Sequence, residues 1–182
     1  GRGVGMDVVS KKILELRGDV EISSKLGSGT KILIKLPLTL TIMDGMLTEV
    51  SASKYIVPIS SVRKIYEIKM EELKNSFNKL ITLDGKQYPF LVLSNEFIGE
   101  LPKKENLQII LVEYEERKMG LVVDHIIGER QVVLKPLGIS LKKNRMFSGG
   151  SIMGDGEIAL VLDTNKLIRE FTTNNNSENS SS

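Results

Sequence analysis

The sequence has no cysteine, no tryptophan and only one histidine among its 182 residues. Without cysteine it can form no disulfide framework, no thiolate nucleophile and no sulfur-liganded metal site, and a single histidine cannot build a metal cage of several imidazoles. The absence of cysteine also fits a reducing compartment. Thiol redox chemistry and zinc sites of the Cys/His type are therefore excluded.

Long apolar runs and an excess of one charge are missing as well. The apolar runs at 109–112, 121–123 and 158–162 are far shorter than the roughly 20 residues that cross a bilayer, and no signal-peptide pattern is visible. Lys and Arg total 25 against 23 Asp and Glu, a net charge of +2, and the two signs are interspersed. We therefore expect neither membrane insertion nor nucleic-acid binding.

The remaining composition is that of a globular protein of one or two domains, with 41% hydrophobic and 26% charged residues. The chain starts without methionine, inside a glycine-rich run, so we expect it to be part of a longer protein. Three segments can be distinguished along it: 1–36, 37–172 and 173–182.

The first segment, 1–36, predicts one helix followed by a β-hairpin. Met6, Val9 and Ile13 recur at helical spacing, and Gly18 stands where a helix C-cap is wanted. Alternation of apolar and polar residues then predicts two strands, separated by a glycine-rich turn at 27–29.

The second segment, 37–172, is strand-rich and contains an internal duplication. Residues 47–50 align with 111–114, and 54–57 align with 118–121, at a common shift of 64 residues. Each copy reads as a strand, a polar turn and a second strand. The repeat predicts two similar half-domains, arranged as small barrels or sandwiches in tandem.

The repeat continues downstream of the two hairpins. Asp-Gly turns at 84–85 and 155–156 each precede an apolar strand, and Ser94 and Thr164 then stand where they could cap a short helix. The third segment, 173–182, is rich in Asn and Ser and has no apolar residue to bury, so we expect it to be disordered.

The run GRGVGMDVV at residues 1–9 is a glycine-rich turn that enters a helix. Glycines there allow phosphate oxygens to approach backbone N–H groups at the positive end of a helix. Alone, such a run is more often only a turn. No strand precedes it and no Gly-Lys-Ser/Thr follows it, so the Rossmann and P-loop motifs are set aside.

A second glycine cluster, GSGT at residues 27–30, changes that interpretation. Together the two clusters resemble the glycine boxes of the GHKL ATPases, which include histidine kinases, and GRGVGMDVV resembles the version found in CheA-type chemotaxis kinases. In that family the first cluster contacts the triphosphate and the later threonine lies near the adenine end. The resemblance assigns seven positions to ATP binding: Gly1, Gly3, Val4, Gly5, Met6, Gly29 and Thr30.

The same resemblance implies that this ATP site is incomplete. The family's Asn-bearing helix, which holds Mg²⁺, and its Asp box, which reads adenine, would lie before Gly1. ATP with Mg²⁺ therefore belongs to the parent kinase. We expect no nucleotide bound to this chain and no phosphotransfer by it alone.

Further matches cover most of the second segment. The passage KLPLTLTIMDGM at 35–46 resembles the CheA junction between kinase and regulatory domains, and VLKPLG at 133–138 and FSGGSIMGDGEIALVLD at 147–163 resemble CheW-like domains. The resemblance implies a mainly β fold, a CheW-like domain of two tandem five-stranded β-barrels, preceded by a helix and hairpin remnant of an α/β GHKL ATPase domain.

By the same resemblance, the regulatory segment would dock the CheW adaptor, the cytoplasmic tip of chemoreceptors and other domains of the parent kinase. It would couple receptor state to autophosphorylation, in the cytoplasm at receptor arrays. Two alternatives stay open: a free-standing CheW-like adaptor, and a fragment that keeps some ATP binding.

Other polar residues are interpreted as structural. His125 stands at a strand end rather than on an exposed helical face, so it is not expected to accept phosphate. The basic run at 142–145 is interpreted as a solvated loop. The acid pairs at 71–72 and 115–116 suit solvent-facing turns or a helix start better than general acid–base catalysis.

Overall fold

A computed structural model describes residues 5–15, 18–36, 41–76, 79–137 and 146–178. Besides one short 3-10 helix (Ile59–Ser61), four α-helices and twelve strands occur within these residues. In chain order they are α1 (Met6–Glu15), β1 (Asp19–Lys25), β2 (Gly29–Lys35), β3 (Thr41–Val50), β4 (Ser53–Pro58), β5 (Val62–Lys69), α2 (Met70–Lys74), β6 (Leu80–Leu83), β7 (Lys86–Val92), α3 (Leu93–Ile98), β8 (Asn106–Tyr114), β9 (Arg117–Val123), β10 (His125–Leu134), β11 (Phe147–Ile152), β12 (Ile158–Leu162) and α4 (Thr164–Glu178).

The N-terminal helix and hairpin are present as the sequence predicts. After α1, the Gly18 N–H donates to the Ile13 carbonyl at 2.8 Å, as in a helix C-cap. The strands β1 and β2 pair antiparallel over seven residues each. Gly27 and Gly29, at the turn between them, have φ of +74° and +99°, which glycine adopts without steric cost.

The duplicated hairpins predicted at a shift of 64 residues are β3–β4 and β8–β9. Both are joined by two-residue turns, Ser51–Ala52 and Glu115–Glu116, in which all four residues have positive φ. Two residues of positive φ are the signature of the type I′ turn, whose twist matches that of the flanking strands. The acid pair at 115–116 is therefore a turn, as expected.

The ten strands β3–β12 form two five-stranded sheets. Sheet 1 has the order β10-β3-β4-β12-β11, and sheet 2 has the order β5-β8-β9-β7-β6. The first repeat supplies β3–β7 and the second supplies β8–β12. Each sheet consequently combines the hairpin of one repeat with the last three strands of the other.

The mainly β fold with two five-stranded units is confirmed, and the pairing shows that the repeats are interleaved rather than placed side by side. The antiparallel pairs β3–β10 and β5–β8 and the parallel pairs β4–β12 and β7–β9 all join one repeat to the other. The duplication shows which segments are equivalent in sequence. Either of two equivalent strands could in principle pair with the same partner strand, and tertiary packing decides which of them does.

Side-chain alternation along the strands sorts the core into three clusters. In β8, Leu107, Ile109 and Leu111 lie inside sheet 2, whereas Ile110 and Val112 point the other way, into a cluster shared by both sheets. Sheet 1 encloses a smaller cluster of its own. The shared cluster contains Met46, Val50, Tyr55, Val57, Leu91, Leu93, Ile110, Val112, Met119, Leu121, Val123, Phe147, Leu162, Leu167 and Ile168.

Sheet 1 is closed by backbone hydrogen bonds. Lys135, just after β10, and Gly150 on β11 exchange bonds of 2.8 and 2.9 Å, which joins the two outer strands. The preceding Gly149 permits this approach. A Cβ there would lie 2.7 Å from the Lys135 carbonyl oxygen and would collide with Leu134.

The outer strands of sheet 2, β5 and β6, are connected through side chains instead. Asp84, in the turn that follows β6, accepts hydrogen bonds from the Lys64 ammonium at 2.5 Å and the Tyr66 hydroxyl at 2.7 Å, both on β5. Lys64 and Asp84 are both more than half exposed. This link is therefore a solvent-accessible ion pair.

The two predicted helix caps are wrong in detail. Ser94 lies within α3, and its hydroxyl is buried without a hydrogen bond among the described residues. At α4 the capping acceptor is Asp163, which receives the Lys166 N–H at 3.1 Å, and not Thr164. Both hydroxyl residues are almost fully buried, because packing of the helix starts takes precedence over capping there.

Helix α4 also extends into the segment for which the sequence predicts disorder. It runs to Glu178, so residues 173–178 are helical, while 179–182 lie outside the described residues. Leu167 and Ile168 are buried in the shared cluster and hold the first turns. Once a helix is nucleated in this way, each further residue adds a hydrogen bond at little cost, even in an Asn-rich stretch.

We expect Gly149→Ala to lower the free energy of unfolding by about 1–3 kcal/mol, because the added methyl group forces apart the bridge that closes sheet 1. Gly154→Ala is the matched control, since a Cβ there meets no atom within 4 Å. Chemical denaturation of both variants measures the difference. A Gly149→Ala protein as stable as the Gly154→Ala protein would contradict the role of the bridge.

Asp84 makes the stability of sheet 2 depend on pH. The hydrogen bond from Lys64, followed by that from Tyr66, holds the pKa of the Asp84 carboxyl below its ordinary value. The stabilisation is therefore complete above the unfolded pKa of about 3.9 and is lost as the pH falls through the lower folded pKa. We expect the melting temperature of wild type to exceed that of Asp84→Asn at pH 6. The difference between the two melting temperatures should shrink as the pH is lowered.

Asparagine tolerates the φ of +49° at this position, so the substitution removes the charge without straining the turn. Repeating the melts in a Lys64→Met background is the control, because the Asp84 carboxylate then has no ammonium to pair with. A melting gap that is independent of pH, or that is not reduced in this background, would contradict the ion pair.

Candidate docking surfaces

The residues assigned to ATP by resemblance fall on the N-terminal helix and hairpin. Gly1, Gly3 and Val4 lie outside the described residues. Gly5 and Met6 form the exposed start of α1. Gly29 and Thr30 begin β2, and the Thr30 hydroxyl lies 3.0 Å from that of Ser24 across the hairpin.

The described part of this segment contains only four of the seven positions assigned to ATP, so the assignment stays a prediction. Asp7, in the first turn of α1, has a carboxylate oxygen only 2.8 Å from where a Cβ of Gly5 would lie, so a negative charge already occupies this end of the helix. Within the ranges that the structure describes, no cluster of three or more His, Asp or Glu side chains could hold a metal ion.

The hairpin presents a partly exposed apolar face. Val20 pairs with Ile34 and Ile22 pairs with Ile32, which sets the four side chains on one side of the two-stranded sheet. Ile22, Ile32 and Ile34 are each nearly half exposed. Isolated two-stranded hairpins are at best marginally stable in water, so this face needs a covering element.

His125 is the first residue of β10 and is exposed. It lines a polar cleft of about 530 Å³, together with Glu67, Ile68, Lys69, Glu72, Asn106, Leu107, Gln108 and Asp124. Glu72 accepts the Lys69 N–H at 3.0 Å at the start of α2, which confirms the helix-start interpretation of the acid pair at 71–72. The basic run at 142–145 lies outside the described residues.

An exposed row of aliphatic side chains follows the outside of sheet 1. We call it the isoleucine row, and it consists of Ile42, Val133, Ile152 and Ile158. Ile42 is opposite Val133 on β3 and β10, and Ile152 is opposite Ile158 on β11 and β12. The antiparallel bridge between Lys135 and Gly150 brings β10 and β11 side by side, so the two pairs lie on neighbouring strands.

The neighbours of the row along each strand point inward, as pleating requires. Met43, Val132 and Ala159 belong to the cluster enclosed by sheet 1. The row itself is left in water, with Ile42 55%, Ile152 56% and Ile158 67% exposed. A contiguous group of exposed aliphatic residues on a sheet is a feature of interaction sites.

Charged groups border one end of the row. The Lys54 ammonium lies 2.5 Å from Asp155 and 2.7 Å from Glu157, both in the loop between Ile152 and Ile158. The hydrogen bonds that the Lys54 ammonium donates to Asp155 and, to a lesser extent, to Glu157 raise the pKa of Lys54. The ion pairs hold this loop against β4, so the row has an apolar centre and a polar rim, as protein interfaces do.

A second apolar surface lies between α3, β7 and α4. It is a cavity of about 270 Å³, lined by Lys79, Pro89, Phe90, Leu91, Val92, Asn95, Glu96, Leu101, Met119 and Phe171. This volume is at the lower limit of small-molecule sites, and it suits one inserted apolar side chain better than a cofactor. Leu101 is 55% exposed at this surface.

Neither surface could be identified from the sequence. Alternation in β3, β10, β11 and β12 shows which residues share a face of their own strand. The exposure of the row depends on how four strands from two repeats align in the sheet. The alternation of apolar and polar residues does not predict that alignment.

Comparison with known proteins identifies the family. The model of the CheW-like domain matches residues 44–172. The chain belongs to the CheW-like domain family. The scaffolding protein TtCheW from Thermoanaerobacter tengcongensis has the same fold, with a TM-score of 0.56 and 19% identity, over 68% of this chain and 90% of that one.

Sequence relatives extend the similarity into the N-terminal segment. The chain is 39% identical to the chemotaxis protein CheA of Salmonella typhimurium, over 92% of this chain and 26% of that protein. It is also 39% identical to CheA of Bacillus subtilis, over 92% and 25%, and 35% identical to the sensor histidine kinase CheAY of Helicobacter pylori, over 92% and 21%. The chain is thus CheA-like and spans about a quarter of these relatives.

No helix in the described ranges is both long and apolar enough to span a membrane.

Proposed function

We propose that this chain is the docking part of a chemotaxis histidine kinase. Its CheW-like domain binds a CheW-type adaptor and the cytoplasmic tip of a chemoreceptor, and it couples receptor state to autophosphorylation by the kinase. The observation that carries the proposal is the CheW-like domain at 44–172 within a chain that is CheA-like over 92% of its length. The cytoplasmic face of receptor arrays is the corresponding location.

The isoleucine row is the surface that we assign to the adaptor. Its aliphatic side chains are more than half exposed at three of four positions, and ion pairs border it. Burying such a row against a partner releases water from apolar surface without stranding a buried charge. The adaptor should therefore present a complementary apolar strip.

The position of the row suits coupling to the kinase. Ile42 is the second residue of β3 and follows residue 36, the end of the kinase remnant, by six positions in the chain. Ile42 on β3 is also paired with Val133 on the neighbouring strand β10. A partner seated on Ile42 would restrain the chain where it enters the regulatory domain.

We expect the isolated chain to bind its protein partners without binding ATP or transferring phosphate. We expect calorimetric titration with ATP and Mg²⁺ to give no saturable signal, because the resemblance places the Asn-bearing helix that holds Mg²⁺ and the Asp box that reads adenine before Gly1. Thr30→Ala should be indistinguishable from wild type. Saturable binding that Thr30→Ala weakens would instead support the alternative, a fragment that keeps nucleotide affinity.

The adaptor contact is tested by calorimetric titration of the cognate CheW protein into wild type, Ile152→Ser and Ile158→Ser. We expect each substitution to weaken binding at least about tenfold, which corresponds to about 1.4 kcal/mol of lost apolar burial. Both positions are exposed, so unfolding temperatures should change little.

Ile98→Ser is the matched control. Ile98 is 52% exposed, as Ile152 is 56% exposed, but it lies at the end of α3 and is not part of the isoleucine row. Wild-type affinity in this control, with weakened row variants, supports the row. Equal affinity in all variants would reject the row as the contact, and no binding by folded wild type would reject adaptor docking itself.

A further inference from the structure

The chain passes between its two repeats only once. Repeat 1 comprises residues 41–98, with the strands β3–β7 and α3, and repeat 2 comprises residues 106–178, with β8–β12 and α4. Residues 99–105 form the single connection. Every other association between the repeats is made by strand pairing and side-chain packing.

Those associations hold both sheets together. Sheet 1 depends on the inter-repeat pairs β3–β10 and β4–β12, and sheet 2 depends on β5–β8 and β7–β9. Neither repeat can form a complete five-stranded sheet from its own strands. The molecule has the pairing pattern of a dimer of repeats whose two subunits are connected by a short linker.

The connection is a surface segment with few ties to the rest of the fold. Gly99 ends α3 with φ of +72°, Lys104 forms an exposed ion pair of 3.1 Å with Glu49, and the Glu105 carbonyl accepts the Met70 N–H at 2.8 Å. Only Pro102 is buried within it. Seven residues can extend over about 23–25 Å, so this segment can lead outward to another molecule.

We propose that two copies of this chain can exchange their second repeats, so that residues 106–178 of each molecule complete both sheets of the other and residues 99–105 act as the hinge. All four inter-repeat strand pairs, the shared core cluster and the closing bridge of sheet 1 are retained. Only the conformation of the hinge differs between monomer and dimer. Protein concentration and hinge length therefore determine the ratio of monomer to exchanged dimer.

The exchange would also make the isoleucine row composite. Ile42 comes from repeat 1, whereas Val133, Ile152 and Ile158 come from repeat 2, so each row in the dimer draws on two molecules. One particle would then carry two complete rows. Two rows on one particle allow bivalent binding if the adaptor is itself clustered. The exchange follows from strand pairing alone and does not depend on the proposed function.

The absence of natural cysteine allows a direct test with the full 182-residue chain. The reporter is Asp44→Cys with Gln131→Cys, at paired, exposed positions on β3 and β10 in different repeats. The control is Thr82→Cys with Gln87→Cys, at paired, exposed positions within repeat 1. Each protein is refolded at low and high concentration and then oxidised.

If the repeats exchange, the reporter forms a covalent dimer after refolding at high concentration. At low concentration it forms only an intramolecular disulfide. The control stays intramolecular at both concentrations, because its cysteines never separate. A reporter that remains intramolecular in every fraction, including any dimer recovered by size-exclusion chromatography, would overturn the proposal.

Deleting residues 100–103 provides a second test, since shortening the connection from seven residues to three disfavours its return from α3 to β8 within one molecule. We expect light scattering to give twice the monomer mass, with wild-type circular dichroism. A hinge lengthened with Gly and Ser at the same place should stay monomeric. A shortened chain that is a folded monomer, or that stays unfolded at high concentration, would contradict exchange.

Discussion

Strand pairing between the two repeats is the constraint on which the rest of the fold depends. The pairs β3–β10 and β5–β8 are among the longest ladders of the two sheets, and each joins residues far apart in the chain. Pleating then directs alternate side chains into each sheet or into the shared cluster. The stacked rings of Tyr55 and Phe97 from repeat 1 and Phe147 from repeat 2 lie in or against that cluster. Burial of the core and completion of the sheets are therefore one cooperative event.

Local features of this fold could be predicted from the sequence, and features that depend on pairing could not. The hairpins, the Asp-Gly turns and the N-terminal helix arise from neighbouring residues, so their patterns predicted them. Interleaving of the repeats was missed because β4 and β9 are equivalent in sequence, and either could in principle pair with β7 or β12. The isoleucine row was missed for the same reason. Ile42 and Ile158 become neighbours in one row only through β10 and β11.

The two sheets show how equivalent segments acquire different roles. Both repeats have an Asp-Gly turn, but Asp84 binds Lys64 and Tyr66 on the opposite edge of its sheet, whereas Asp155 binds Lys54 and orders a loop beside the row. Ile81 and Ile152 each stand three residues before these aspartates. Ile81 is 6% exposed and Ile152 is 56% exposed. The duplication thus supplies one apolar position twice, as core in one sheet and as exposed surface in the other.

The N-terminal segment and the regulatory domain differ in how completely their apolar surfaces are packed. The apolar face of the β1–β2 hairpin is nearly half exposed, so this segment needs a further covering element. Sheets 1 and 2 complete each other and need nothing further for their core. Their exposed row begins at Ile42, close to where the chain enters β3. A contact there would act on the first strand of a rigid, fully paired unit, and rigid units transmit a displacement with little loss to internal repacking. Coupling between the two parts should therefore depend on the chain between residue 36 and β3.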